Sequence, residues 1–488
     1  VRRLLIALLI LTGLTRLLAW HSMAVISADG ARFLRMARDF HAGRFDDALS
    51  VEAFPPLYPL LIATLHRAGI GWEAAARLIS LLAALPACAA LFVLARAVWN
   101  ERIATIACLI FALAPEYALH GADTMSESLF MALFTGAMAL AWTGWASDRP
   151  ERLLGAGLAA GAAYLTRPEG VYLAPLLAFA CAIHAWKHRR DRARLARVGL
   201  GLAAALVAAG AAAMPYLIHI RGTLGRWSLT PNPYANLVIE FVRGKKPQDP
   251  DLWRGGTHRR LIERFGRPLG AAISIGDSAA RIVFFAPLAF WLIGLARPLR
   301  EAASRSGLLF VHAAAAGYTV PNYLAFFAGA PFGDRYVLVP FLLWMPVMAV
   351  GARAIGDRLR GWLRPASRVL VLAWMCAALV VSGRPKRTDK IALRLAGEEI
   401  LRVAGPGRRV ASQDRRVEYY AQGDWRRLEY PQVLGQASRG DVEFIVVIPG
   451  ERRDPGREAV EEFDRRYRRI ATISAGGRTA FVWSAAGR

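Results

Sequence analysis

Cysteine is rare in this chain. Cys88, Cys108, Cys181 and Cys376 are the whole complement among 488 residues. Each lies inside an apolar run and none has the spacing of a metal site, so they supply neither a disulfide framework nor a set of metal ligands. Negative charge is also short. The 37 acidic residues face 62 basic ones, a formal net charge of +25, and lysine is scarce beside arginine. Nucleic acid would suit such a balance. That class is set aside because no basic stretch stands apart from the hydrophobic segments, and arginine-rich turns between apolar spans are what cytoplasmic loops carry. Internal repeats are missing as well, which argues against a transporter or flippase built from inverted repeats. No acidic residue precedes Asp29.

Apolar residues are what the chain has in excess: 55% of it is hydrophobic, and the mean hydropathy is +0.31. Apolar runs near 4–20, 74–98, 103–119, 128–146, 153–166, 171–186, 198–219, 282–296, 308–327, 335–352 and 369–382 predict about eleven membrane-spanning helices. The first run could be a signal peptide by itself; with so many behind it, it reads as a retained helix with a cytoplasmic N-terminus. Alternate turns then hold Arg189, Arg190, Arg192 and Arg194, then Arg297, Arg300 and Arg305, then Arg353, Arg358, Arg360 and Arg364. This fits the positive-inside rule and puts the intervening loops outside. The expected organisation is an all-α polytopic membrane domain over residues 1–382. Within it, 26–73 form a first outer loop with juxtamembrane helices and 220–280 form a long polar outer loop. From 383 to 488 the composition changes to a small extracytoplasmic α/β domain. Its predicted strands are 409–412, 444–448, 469–474 and 480–484, and its predicted helices are 390–404 and 457–466. The chain is expected to be a multi-pass protein of the inner (plasma) membrane.

The first outer segment is amphipathic. Phe33, Met36, Ala37 and Phe40 recur at helical spacing, with Arg32, Arg35 and Arg38 turned elsewhere, a pattern able to lie on a bilayer with its arginines among headgroups. The outer ends of several spans carry polar residues. Asp29 follows the first span. Asp123 and Glu127 stand four apart, which on a helix would place them on one face. Arg167 and Glu169 sit in TRPEG, and Arg335 and Tyr336 open VLVPFLLW. Carboxylates can take a proton from an acceptor, and arginines can hold a phosphate in a bidentate fork. Sugar transfer from a polyprenyl-phosphate donor at the bilayer surface needs both. In the long insert, Tyr234 and Trp253 could stack on a sugar or sit at the headgroup level.

The order of ISADG, the helix RFLRMARDF, PPLYPLL, EAAARLIS, the loop with Asp123 and Glu127, LTRPEG and FGDRYVLVPFL resembles the GT-C class of membrane glycosyltransferases, of the protein-O-mannosyltransferase and aminoarabinose-transferase type. The resemblance covers about residues 1–350. It implies that Asp29 is the catalytic base and that Asp123 is a second site carboxylate; Glu127 is expected to join Asp123 in orienting the sugar or a metal. It implies that Arg167 and Arg335 contact phosphate; Glu169, Tyr336 and Tyr58 are expected beside them on the donor side. Many relatives have an acidic pair at the first motif; here Asp29 is followed by Gly30. A divalent metal ion serves some members of the class, and His21 and His120 are the nearest histidines, although their spacing does not demand one. The expected partners are a polyprenyl-phosphate sugar, membrane lipid and a lipid, glycan or protein acceptor. The alternatives are a multi-span lipid or sugar transporter or flippase, and a non-catalytic assembly subunit of the same fold.

Overall fold

The structure is a computed structural model that describes residues 1–50, 54–231, 257–296, 305–328, 333–358, 363–450 and 455–485. Tyr234, Trp253, Arg297, Arg300 and Arg360 lie outside the described residues. Eleven helices lead the chain: α1 Arg2–His21, α2 Ala28–His41, α3 Phe45–Ser50, α4 Leu57–Arg67, α5 Trp72–Val98, α6 Glu101–Leu113, α7 Pro115–His120, α8 Glu127–Ala146, α9 Pro150–Tyr164, α10 Leu173–Lys187 and α11 Arg192–Leu224. A 3₁₀ turn, Pro168–Tyr172, enters α10. Further helices run over Thr257–Phe265, Arg267–Ile282, Ala286–Leu295, Arg305–Phe327, Leu338–Arg358 and Leu363–Gly383.

Seven described segments are long and apolar enough to cross a bilayer: Arg2–His21, Trp72–Val98, Glu127–Ala146, Pro168–Lys187, Arg192–Leu224, Asp334–Arg358 and Pro365–Gly383. An eighth arises if Pro268–Ile282 and Ala286–Leu295, bent by 116°, make one span. The apolar runs at 103–119, 153–166 and 308–327 fall short of that standard. With 13 and 15 residues, α6 and α9 rise about 20 Å, less than a hydrocarbon core of about 30 Å. Helix Arg305–Phe327 has the length, but His312, Thr319 and Asn322 dilute its apolar content. Packing in the bundle relies on small residues. A Cβ on Gly157 of α9 would come 2.1 Å from the Ala205 carbonyl of α11, and one on Gly161 would come 2.6 Å from Ala212 Cβ. Two glycines one turn apart let the helix backbones meet, as membrane interiors favour.

The expected apolar face of α2 exists, but it does not face lipid. Phe33, Met36, Ala37 and Phe40 are buried against Tyr58 and Ile62 of α4, Ala75 and Ile79 of α5, and Tyr419 and Tyr420 from the C-terminal region. The arginines of α2 are taken up by protein partners. Arg35 lies 3.8 Å from Glu418, Arg38 covers the Tyr419 ring at 4.7 Å, and Arg32 lies 3.6 Å from Asp29.

The C-terminal region holds a five-stranded sheet of order β2-β1-β3-β5-β4, with β1 Arg409–Ser412, β2 Asp424–Arg427, β3 Phe444–Val447, β4 Arg468–Ala475 and β5 Arg478–Ser484. β1 runs parallel to β2 and β3, whereas β5 is antiparallel to β3 and β4. Helices Ile391–Ala404 and Arg457–Arg466 match the predicted pair, and Arg416–Ala421 and Gln432–Ser438 are additional. β2 was not legible because DWRR is a largely exposed edge strand with no apolar alternation.

This sheet unit is tied to the segment that leads into Asp29. The Ala24 amide donates to the Lys386 carbonyl (3.2 Å), and the Lys386 amide donates to the Ser22 carbonyl (2.7 Å). Tyr420 accepts from the Ile26 amide at 3.2 Å.

Candidate active site

Four parts of the chain converge at one end of the bundle. Asp29 stands in the first turn of α2, whose N-cap is Ser27, its hydroxyl accepting from the Gly30 amide at 2.9 Å. A carboxylate there benefits from the helix dipole. Glycine at position 30 is a steric requirement: a Cβ would lie 2.0 Å from Thr124 Oγ1 and 2.7 Å from Ser27 Oγ. The second acid of an acidic pair cannot fit where α2 meets this loop.

Arg335, in the 3₁₀ turn Asp334–Val337, donates from Nη1 to Asp29 Oδ2, and the same nitrogen lies 3.8 Å from Glu127 Oε1. Glu127 opens α8 and is buried; its Oε1 accepts from Arg167 Nη1 at 2.7 Å. Arg167 Nη2 donates to Glu169 Oε1 at 3.1 Å. Tyr336 lies beside both guanidinium groups, 5.4 Å from Arg335 and 5.9 Å from Arg167 to the ring centre. The result is a chain of alternating charge: Asp29, Arg335, Glu127, Arg167, Glu169.

Each link is held from outside the cluster. Asp334 accepts from Ser278 at 2.6 Å and Arg281 at 3.0 Å, which anchors the turn and leaves Arg335 to face Asp29. The Leu57 amide donates to the Leu165 carbonyl at 2.8 Å, tying α4 to the TRPEG turn. A Cβ on Gly170 would strike the Tyr164 amide nitrogen at 2.3 Å, so this turn can close on α9 only with glycine.

Two expected site residues have other partners. Asp123 does not share a helix face with Glu127, because α8 starts at Glu127 and Asp123 lies in the preceding loop. Its carboxylate is buried and takes both ends of the Arg387 guanidinium, Nη1 to Oδ1 at 3.0 Å and Nη2 to Oδ2. The Thr124 amide adds a bond at 2.7 Å. Asp123 is therefore linked to the charged chain only indirectly, through Thr124, Ser27 and Gly30. Tyr58 is fully buried, its hydroxyl 3.0 Å from the Ala76 carbonyl and 3.1 Å from Ser80 Oγ, so it braces α4 on α5 and presents no group to a donor.

Sequence reasoning missed Arg387. It also donates to the Val25 carbonyl at 3.1 Å and has a left-handed φ of 55°. Its only signal was the basic run RPKRTDK directly after the last apolar segment.

Charge sets the protonation of the carboxylates. For Asp29 burial pushes the pKa up, but Arg335, with Arg32 and Arg167, outweighs it and holds the carboxyl below its ordinary value. Asp123 is pushed up by burial and brought below its ordinary value by Arg387, His120 and the Thr124 amide. Among the described residues no three His, Cys, Asp or Glu side chains converge as metal ligands would. The place between Glu127 and Glu169, where a cation would sit, is filled by the Arg167 guanidinium. The residues present do not fit a divalent metal there.

The helical bundle, the juxtamembrane α2 and the C-terminal sheet unit together have the fold of the GT-C membrane glycosyltransferases. Residues 54–218 match the family described as dolichyl-phosphate-mannose-protein mannosyltransferase. Among solved structures, ArnT from Cupriavidus metallidurans bound to undecaprenyl phosphate matches with a TM-score of 0.62 at 12% identity, over 98% of this chain and 97% of that one. Its apo form gives 0.60 at 13% identity, over 97% of each chain. The Archaeoglobus fulgidus oligosaccharyltransferase, in complex with Zn and sulfate, gives 0.54 at 15% identity, over 91% of this chain and 67% of that one. No curated protein matches the sequence.

Proposed function

We propose that the protein transfers a sugar from a polyprenyl-phosphate carrier to an acceptor hydroxyl at the membrane surface. The observation that carries this reading is the alternating chain of Asp29, Arg335, Glu127, Arg167 and Glu169 beside the juxtamembrane helix. The family match and the undecaprenyl phosphate bound by a structurally similar protein support it.

The donor phosphate competes with Asp29 for Arg335. When Arg335 turns to the phosphate, Asp29 loses the cation that depresses its pKa and becomes a stronger base. Asp29 then accepts the acceptor's hydroxyl proton. The acceptor oxygen bonds to the anomeric carbon as the carbon–oxygen bond to phosphate breaks, its electron pair going to the phosphate oxygen. Polyprenyl phosphate leaves with one more negative charge than the donor carried. Arg335 and Arg167 bind that charge more strongly as it develops, which lowers the barrier. A single displacement of this kind inverts the anomeric centre. Glu127 and Glu169 hold Arg167 in place, and the Tyr336 ring flanks the phosphate site. Asp123 is a positioning residue for the loop under Asp29.

In this reading the reaction end faces the outer side of the inner membrane, with the sheet unit outside and the N-terminus cytoplasmic. The sugar, hexose or pentose, and the acceptor, lipid, glycan or protein, are read from the reaction product. The test is radiolabelled sugar transfer from a polyprenyl-phosphate donor in proteoliposomes. Asp29→Asn is expected to lower kcat by at least about 100-fold, with insertion and melting temperature retained. Transfer by a well-folded Asp29→Asn protein at the wild-type rate would overturn the assignment.

A further inference from the structure

The opposite end of α10 carries a feature unrelated to sugar transfer. α10 begins beside the site, next to Glu169, and its 15 residues carry it about 22 Å away. At that far end an open groove of about 560 Å³ is lined by Phe179, Ala182, Ile183, Trp186, Lys187 and Arg189, with Ser306 and Leu309 from the facing helix. Phe179, Ala182, Ile183 and Trp186 stand at helical spacing, so α10 presents one apolar stripe to the groove. That stripe ends in cations. Lys187, Arg189 and Arg190 line the adjoining recess with His188 and Asp191.

Apolar below and cationic above is the shape of an amphiphile with an anionic head. Trp186 is 72% exposed, an unusual cost for the largest side chain unless it lies at the headgroup level, where tryptophan is favoured. The Arg189 guanidinium covers its ring at 4.8 Å, which fixes a cation at that level. The nearby acids are committed elsewhere: Asp191 caps α11 by accepting from the Arg194 amide at 3.0 Å, and Asp148 lies 3.5 Å from Arg194. Among the described residues no carboxylate pairs with Lys187, Arg189 or Arg190 within 4 Å, and all three residues are exposed.

We infer that this groove is a binding site for an anionic phospholipid, its acyl chain along Phe179, Ile183 and Leu309 and its phosphate on Lys187, Arg189 and Arg190. The site is distinct from the donor site, since the two lie at opposite ends of α10. A lipid here bridges α10 and the helix that begins at Arg305, which the main chain joins only through a long intervening stretch.

The test is native mass spectrometry of the full chain released from nanodiscs, with phosphatidylglycerol and phosphatidylcholine added in turn. Wild type is expected to retain phosphatidylglycerol preferentially, with about five-fold weaker retention for each charge removed in K187Q, R189Q and R190Q, since each basic residue near a membrane surface contributes about that factor. K187R is expected to bind as wild type. Trp186→Ala should weaken retention of both lipids. Equal retention of the two lipids by wild type would overturn the inference, and that measurement needs no variant. So would undiminished phosphatidylglycerol binding in the folded triple variant, or displacement of the lipid by sn-glycerol 3-phosphate at millimolar levels, which would mark a site for a free phosphate.

Discussion

Arg335 is shared by two carboxylates, donating to Asp29 and lying 3.8 Å from Glu127. That sharing makes the protonation of Asp29 depend on a neighbour as well as on its own burial. In the resting protein Asp29 is ionised below the ordinary carboxylate range: burial alone would raise it, and Arg335 reverses the sign. Replacing Arg335 with Gln leaves burial opposed only by Arg32 and Arg167. The acidic limb of the kcat/KM profile is then expected to move to higher pH, together with a rise in KM for the phosphate donor. A profile that keeps its acidic limb while kcat falls would remove Asp29 from the role of base. Gly30 shows the same dependence on surroundings at the steric level. Thr124 occupies the space that a side chain at this position would need.

Among the elements, α2 depends most on what surrounds it. Its periodicity was legible in the sequence, since Phe33, Met36, Ala37 and Phe40 do share a buried face. Periodicity says that such a face is covered but not by what. Here protein covers it, and the three arginines that could have met headgroups meet Asp29, Glu418 and Tyr419. The segment at 386–387 works as a clasp between this helix and the loop under it. Arg387→Ala would leave the buried Asp123 carboxylate without its bidentate partner, a loss of about 3–5 kcal/mol. The expected result is a lowered melting temperature and reduced transfer. Pairing it with Asp123→Asn removes the stranded charge and should restore most of the melting temperature. If Arg387→Ala melts as wild type does, the clasp has no such role.

At the level of the whole molecule, the sheet unit docks on the bundle through a buried acid. Glu418 lies under α2, and burial raises its pKa to about 7 from 4.5, against the pull of Arg35, Arg415 and Arg38. The docked arrangement therefore favours the protonated form. Its contribution to stability is complete below pH 4.5 and is lost as pH rises through about 7. Over that interval the melting temperature of wild type is expected to fall relative to Glu418→Gln, which cannot ionise. Parallel melting curves for the two proteins across the same window would show that Glu418 does not titrate at this interface.

Composition and periodicity determined that the chain is a helical membrane protein with a small C-terminal sheet unit. Those properties are local, because an apolar run of bilayer length or a strand such as FIVV declares itself without reference to the rest of the chain. The order of short motifs also marked Asp29, Glu127, Arg167, Glu169 and Arg335 as belonging to one end of the molecule. Only the tertiary structure decided which of them touch. Residues 29, 127, 167 and 335 lie hundreds of positions apart at the extremes, and their partners were set by where α8 begins, by which turn carries each arginine and by glycines that let backbones meet. Tyr58 and Asp123 were drawn into other bonds, and Arg387 arrived from beyond the last span. An ion pair is a property of two points in space, and spacing along a chain does not specify the distance between them.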